Sequence, residues 1–457
     1  MSQEILNAAA MIAAIIKTNP DTLTRARQQS SFPDIENLVV KSIATAKTPT
    51  MAVQAYARFG ALVPDWNFVY ASDNGAQLGF SASHTFSEGS AVRGLLSKNS
   101  VFVLDRDTNE EMREAIEAKL HIDYSIALDT QTVSYLEPFL TGNNSRLPKD
   151  FLEVFEFIAQ DTVFVDPIPY MMENLPNVLV EGRRPAIRQK LVGYEKLRDI
   201  DAEYLRTTSC VRFRSSEEER NRRVDEHLKV MIEDASKPAL LNHVIGSRDA
   251  LYCILLKMTT IQLRQQKKSL EEKLEEFIEF LTRRLHTVFL RLIAVANEYF
   301  VNGQNLTFFG KIQRASAGKT AEMFDHLKNM AWDLLHVQCV EGAIPLYRGS
   351  SAMRKLSPRY FFPSLLTCDR KLVEIIDLYP LKSYAYRRNP DRIATFPEVP
   401  VDVRLAKIGK LASEKLDKGF SQAEIKRREA DRRNVRRDLS TLTRELESEF
   451  AKATVIR

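Results

Sequence analysis

SIALDTQTVSYLEPFL, residues 125–140, decides how this chain is read. The short run from Tyr124 to Leu128 suits a buried strand and stops at Asp129, where a helical pattern begins at once. In an open α/β sheet, ligands bind at the carboxyl ends of the strands. Asp129 is therefore a candidate functional acid, although Asp129 or Thr130 could equally cap the following helix. Upstream, Val101 to Leu104 forms a similar run ending at Asp105, followed by Met112, Ile116 and Leu120 at helical spacing, with Glu110 and Glu111 suited to a helix N-terminus. Two such runs predict buried strands of a parallel sheet. Strand, helix, strand, helix is the α/β alternation.

Three more segments place an acid at a telling position. In DTVFVDPIPYMMENLPN (161–177) a short strand candidate is broken by Pro167 and Pro169, and Glu173 follows among Met171, Met172 and Leu175. An acid among apolar neighbours is costly unless paired or bound to a metal. Asp166 competes with it, but Asp before Pro commonly initiates a turn. In MFDHLKNMAWDLLHVQCVE (323–341), Met323, Leu327, Met330, Leu334 and Val337 mark a buried helix face beside Asp333. His336 stands three residues on, the spacing of a metal pair or of a histidine satisfied within the fold. In FFPSLLTCDRKLVEII (361–376), Asp369 again ends a strand and opens a helix. Converging carboxylates suit Mg²⁺ or Mn²⁺, hard cations that prefer oxygen ligands. Such an ion can activate water and stabilise charge on a phosphodiester.

These motifs together resemble the PIN-domain nucleases. LDTQTVSYL is similar to the family's opening turn into its first helix, AWDLLHVQ to its central helix, and LLTCDRKL to its Thr-x-Asp strand end. Glu173 in PYMMEN takes the place of the second acid. The resemblance implies a three-layer α/β/α, RNase H-like core and a metal-dependent endonuclease, usually acting on RNA. Asp129, Glu173, Asp333 and Asp369 would then be both catalytic and metal-binding, supported by Thr130 and Thr367. Gln131 departs from the family's Asn or Ser, and the long stretch between Glu173 and Asp333 requires an inserted helical subdomain. An accessory-laden nuclease would suit a regulated toxin or defence effector. Two other readings stand beside it: a DNA-directed nuclease, and a non-catalytic helical interaction protein with a degenerate core.

Five regions follow: a helical N-terminal part (1–95), with a loop or short strands possible in the aromatic, Gly- and Ser-rich stretch from Asp65 to Ser87; the first piece of the core (96–180); a helical insertion (181–309); the second piece (310–395); and a charged C-terminal helix (396–457). Leu270, Leu274, Phe277, Leu281, Leu285 and Val288 form a coiled-coil-like stripe, which predicts packing on the same chain ahead of a dimer zipper. Residues 251–300 and 421–453 are the segments offered to a second copy or another protein. Arg354, Lys355, Arg359, Lys382, Arg387 and Arg388, interleaved with Tyr384 and Tyr386, are candidates for binding nucleic acid. A second basic cluster is Arg183, Arg184, Arg188 and Lys190. ASAGKT, ending at Thr320, lacks the earlier glycine of a phosphate-binding loop, since Gln313 stands there.

Bulk properties frame these motifs. At 457 residues with 44% hydrophobic and 27% charged residues, the chain has the makings of several packed domains. Sixteen glycines are too few for glycine-rich linkers or a meandering all-β fold. Cys210, Cys253, Cys339 and Cys368 lack CxxC spacing, which disfavours a zinc ribbon or disulfide framework and fits a cytoplasmic, reducing setting. The N-terminal apolar stretch lacks a basic lead and reads as an amphipathic helix, and no run reaches membrane-spanning length. A net charge of +5 permits an anionic partner without demanding one.

Overall fold

The computed structural model describes residues 2–19, 21–29, 31–114, 122–264, 268–313, 319–346, 360–388, 391–406, 409–419 and 421–454. Ten strands lie in chain order: β1 (Asn67–Ser72), β2 (Ala76–Gln77), β3 (Ser83–Thr85), β4 (Ala91–Gly94), β5 (Ser100–Leu104), β6 (Ile122–Leu128), β7 (Val165–Asp166), β8 (Tyr360–Thr367), β9 (Leu381–Arg388) and β10 (Asp391–Pro397). They form two five-stranded sheets. The first, β10-β9-β1-β5-β2, is antiparallel throughout; the second, β3-β4-β8-β6-β7, is mixed. The class is α/β, as the alternation at Asp129 predicts.

In the second sheet β7, β6 and β8 run parallel. All eight residues of β8 are buried, which is why its sequence is a near-continuous apolar run rather than an alternating one. Leu128 of β6 pairs in register with Leu366 of β8, so the two strands end at the same edge. The Thr130–Leu140 and Arg370–Asp377 helices start from that edge, and the Thr320–Leu346 helix packs against β8.

The expectation that β5 and β6 share one parallel sheet is corrected. β5 lies in the other sheet, antiparallel to β1, with Val69 opposite Val103. Strand length and apolarity carry no information on the pairing partner, which is chosen by side chains distant in sequence. Asp105, at the end of β5, forms a capping box with Thr108 and accepts from the Tyr360 hydroxyl at 2.6 Å, so it is a structural acid. The region 1–95 is likewise only partly helical. Four helices occupy Ser2–Phe59, but residues 67–94 supply β1 to β4. The stretch noted for aromatic, Gly and Ser content thus belongs to both sheets.

The helical insertion packs on its own chain, as its stripe predicts. Leu274, Phe277, Leu281 and Leu285 are buried. Residues 251–300 belong to three helices, Pro238–Arg264, Leu270–Arg283 and Leu290–Asn302. A Ser269–Glu272 capping box starts the second helix, and a positive φ at His286 accompanies the break before the third. The Gln422–Thr454 helix lies along Pro238–Arg264, where Tyr252 donates to Glu447 at 2.8 Å. Leu439, Leu442, Leu446 and Phe450 are buried there. The apolar stripes of both segments offered to a partner are therefore covered within the chain. Among the described residues no helix is long and apolar enough to cross a membrane.

The N-terminal helices build a separate core on the first sheet around Trp66, Phe68 and Tyr70. Glu36, 5% exposed, joins helix to sheet there. It accepts from Trp66 Nε1 at 3.1 Å and from Arg387 at 2.8 Å. The Arg387 guanidinium also lies over the Trp66 ring, 5.5 Å from its centre. Removing one member of a buried pair strands the other charge. Glu36→Ala is expected to cost about 3–5 kcal/mol in urea unfolding, and Glu36→Gln, which can still accept from Trp66, less. A loss below about 1 kcal/mol for the alanine variant would show that Arg387 escapes to solvent.

Candidate functional site

Asp129 and Asp369 close β6 and β8, and parallel pairing brings them to one edge. The Asp129 backbone N–H donates to the Leu366 carbonyl at 3.1 Å, extending the ladder by one step. Its carboxylate accepts from the Thr132 N–H at 2.6 Å and so caps the Thr130–Leu140 helix. Asp369 does the same for its own helix, accepting from the Lys371 N–H at 2.9 Å, while its N–H donates to Thr367 Oγ1 at 3.0 Å. Both acids are N-caps, the ordinary structural role of an Asp at this position. Capping also locks their rotamers. Burial raises the Asp129 pKa most; hydrogen bonds from Thr132 and Thr367 oppose it, and the charge of Asp369 adds to it.

Glu173 reaches the same edge from the Ile168–Asn174 helix, where the Thr130 hydroxyl donates to it at 2.5 Å. Burial raises its pKa first, and the negative charge of Asp129 contributes. Asp166 faces elsewhere. It accepts from the Ser125 hydroxyl and from the Ile168 N–H, a turn-forming role, and burial raises its pKa.

Asp333 comes from the Thr320–Leu346 helix. Its pKa is raised well above the usual carboxylate value, chiefly by burial and then by the charges of Asp129, Asp369 and Glu173. One carboxyl group thus feels all three others. The four acids singled out in the sequence occupy one neighbourhood. One turn along that helix is His336, 1% exposed, whose Nε2 lies 3.6 Å from Glu173 Oε2. Burial lowers the imidazole pKa to about 4, against a smaller opposing pull from the Pro169 backbone, and neither ring nitrogen makes a well-formed hydrogen bond. The ring is neutral at physiological pH, so its contact with Glu173 is not an ion pair. His336 faces Glu173 rather than forming a pair with Asp333.

Proximity does not amount to a closed coordination shell. Among the described residues, no three His, Cys, Asp or Glu side chains stand together as a ready-made metal site. A cleft of about 260 Å³ opens over Asp333 and Asp369, while Asp129 and Glu173 lie off its lining. Lys311, Lys371 and His326 line it as well. His326 stands near Asp333 in the stretch 323–341; sequence reasoning passed over the two lysines. Lys371 could have been noticed, two residues beyond Asp369 in the helix that Asp369 caps; Lys311 carries no local signal.

The proposed basic surface is distributed differently. Arg354, Lys355 and Arg359 lie outside the described residues, as does most of ASAGKT. Lys382, Arg387 and Arg388 belong to β9 in the first sheet, not to the sheet bearing the acids, and Arg387 is held by Glu36. Arg184, Arg188 and Lys190 are tied to the Val178 carbonyl, Asp225 and the Ser134 carbonyl. Comparison with known protein families, curated proteins and solved structures finds no match.

The raised pKa of Asp333 has a thermodynamic consequence. A carboxyl group whose folded pKa exceeds its unfolded value destabilises the fold once pH passes the unfolded value, and the penalty vanishes when both states are protonated. In chelator, Asp333→Asn is expected to be more stable than the wild type at pH 8, the gap closing toward pH 4. Its slope would be at most about 1.4 kcal/mol per pH unit. Thermal melts across that range would show parallel curves if Asp333 were not strained.

Proposed function

We propose that this chain is a metal-dependent hydrolase of phosphodiester bonds, an endonuclease acting on RNA, built on a PIN-like core. The observation that carries this reading is Asp333, partly buried within the field of three other acids and without a hydrogen bond among the described residues. Such an arrangement is costly in an apo protein and becomes favourable when a cation neutralises it. The donor chemistry fits Mg²⁺ or Mn²⁺, because all four groups offer carboxylate oxygen. The poorly satisfied His336 beside Glu173 marks the same place as one where polar groups await a further partner. The parallel strands β7, β6 and β8, with helices starting from their carboxyl ends, support the three-layer core that the motifs resemble.

Each side chain then has a role. Asp129, Asp333, Asp369 and Glu173 would hold the cation, after small rotations that close the shell. Thr130 orients Glu173, and the two helix caps keep Asp129 and Asp369 aimed along the strand ends. A bound Mg²⁺ or Mn²⁺ supplies an acidified water and shields the charge that builds on the phosphate. Asp333, protonated more readily than an ordinary carboxyl, yields its proton on loading.

Asn retains the capping oxygen, so Asp129→Asn and Asp369→Asn should fold normally. Both are expected to lower Mn²⁺-dependent cleavage of RNA by on the order of a thousandfold. Mn²⁺ at about a hundred times its Kd should stabilise the wild type by about 2.7 kcal/mol, and the variants by much less. Wild-type protein that neither gains stability with Mn²⁺ or Mg²⁺ nor cuts RNA or DNA would favour a non-catalytic interaction protein. Cleavage confined to DNA would redirect the substrate while keeping the chemistry.

A further inference from the structure

A second cleft, of about 300 Å³, opens where the chain passes twice from the second sheet to the first. Asp129, Glu173, Asp333 and Asp369 all lie off its lining. Its walls include the connection from β4 to β5 and the turn from Asp377 to Pro380 that leads into β9. Two backbone bonds of 2.9 Å stitch these segments together, Ser97 N–H on the Leu381 carbonyl and Leu381 N–H on the Leu95 carbonyl. Arg93 stands in this cleft as a fixed fork. Its Nη1 donates to the His84 carbonyl at 3.3 Å, Thr85 Oγ1 at 3.0 Å and the Val92 carbonyl at 3.1 Å. Its Nε and Nη2 hold the two Asp377 carboxylate oxygens at 2.8 and 3.2 Å. The Arg93 side chain is 14% exposed, that of Asp377 49%. A half-exposed carboxylate gains little from such a pair, because water competes for it. The guanidinium keeps its other three acceptors when Asp377 leaves. Arg291 is a second guanidinium in the lining, and Tyr379 lies beneath it, the ring centre 4.9 Å away. Tyr379 is 2% exposed, and its hydroxyl has no hydrogen-bond partner among the described residues. Buried polar groups are ordinarily paired, so an unpaired one at a cleft needs a reason.

An arginine fork matches a pair of oxygens on one centre, as in a carboxylate or a phosphate. We propose that this cleft is an effector site for a small organic anion bearing such a group, which replaces Asp377 on Arg93, with Arg291 as a second positive charge. Asp377 is then the internal stand-in that holds the fork when no anion is bound. The position of the cleft makes its occupant a regulator. Asp377 ends the helix that Asp369 caps. Arg291 donates to the Ile376 carbonyl of that helix at 3.4 Å, and to Glu341 at 3.1 Å on the helix that carries Asp333. An anion that loosens Asp377 and draws on Arg291 therefore bears on both helices that position acids of the proposed metal site. This regulatory consequence rests on the metal-dependent reading; the anion site does not.

Titration calorimetry on the full chain in chelator tests the site, with succinate, inorganic phosphate and uncharged succinamide as probes. Succinate, phosphate or both are expected to bind and succinamide not to; the stronger of the two anions identifies the head group. Arg93→Gln should weaken binding at least about tenfold, the loss of a charge-assisted pair of hydrogen bonds. Asp377→Asn should tighten it about threefold, because the competing charge is gone. A purely structural Arg93–Asp377 pair predicts no such gain. Ser83 is exposed and pairs across the strands with Arg93, so Ser83→Trp should fill the cleft and abolish binding with the melting temperature unchanged. With succinate saturating, the Mn²⁺ affinity of the wild type should change about fivefold or more. That of Ser83→Trp, which controls for chelation by the anion, should not. Failure of the wild type to bind either anion, or an Asp377→Asn variant with the wild-type affinity, would overturn the site. Anion binding that leaves Mn²⁺ affinity unchanged would overturn its regulatory role. A wild type that takes the anion but no Mn²⁺ would instead count against the hydrolase reading and leave the anion site standing.

Discussion

Parallel pairing of β6 with β8 is the constraint from which the site follows. The register that sets Leu128 against Leu366 ends both strands together, and it is maintained one residue further by the Asp129 N–H on the Leu366 carbonyl. Two carboxyl groups far apart in the chain thereby come to the same edge, each immobilised by the helix it caps. Had the strands paired one residue out of step, one of these acids would have turned to the opposite face of the sheet. The full burial of β8 makes such a slip costly, since each of its residues has a place in the core.

Gathering acids in this way works against stability. Burial and mutual repulsion both raise the pKa of Asp333, and the hydroxyl groups of Thr130, Thr132 and Thr367 relieve only its neighbours. A fold keeps such tension when another species resolves it, and functional sites are where shifts of this kind collect. Among the described residues, the same edge holds Lys311 and Lys371, which make no ion pair, and His326, whose Nε2 has no hydrogen-bond partner.

The helical mass around this edge has a different purpose. Its long apolar stripes are buried against one another, Phe324 meeting Phe450 with ring centres 5.5 Å apart and Cys253 meeting Thr443 at 3.3 Å. The first contact joins the Thr320–Leu346 helix, which carries Asp333, to the C-terminal helix, and the second joins the C-terminal helix to Pro238–Arg264, on which Thr320–Leu346 also packs. The accessory helices therefore fix the position of one acid of the site while the sheet fixes two others.

Local chemistry determined much of this in advance. An apolar run ending in Asp and followed at once by helical spacing specifies a strand, a cap and a helix, and it did so at Asp129 and Asp369 because caps and buried strands depend on near neighbours in the chain. The stripe from Leu274 to Leu285 was legible for the same reason: helical periodicity is a local property. What only the tertiary structure decided were pairings between distant segments. It placed β5 in a different sheet from β6, drew residues 67–94 into strands, turned Arg387 inward to Glu36, and brought Lys311 and His326 to the cleft over Asp369. Each depends on long-range packing and charge, which act through space and leave no periodic trace along the chain.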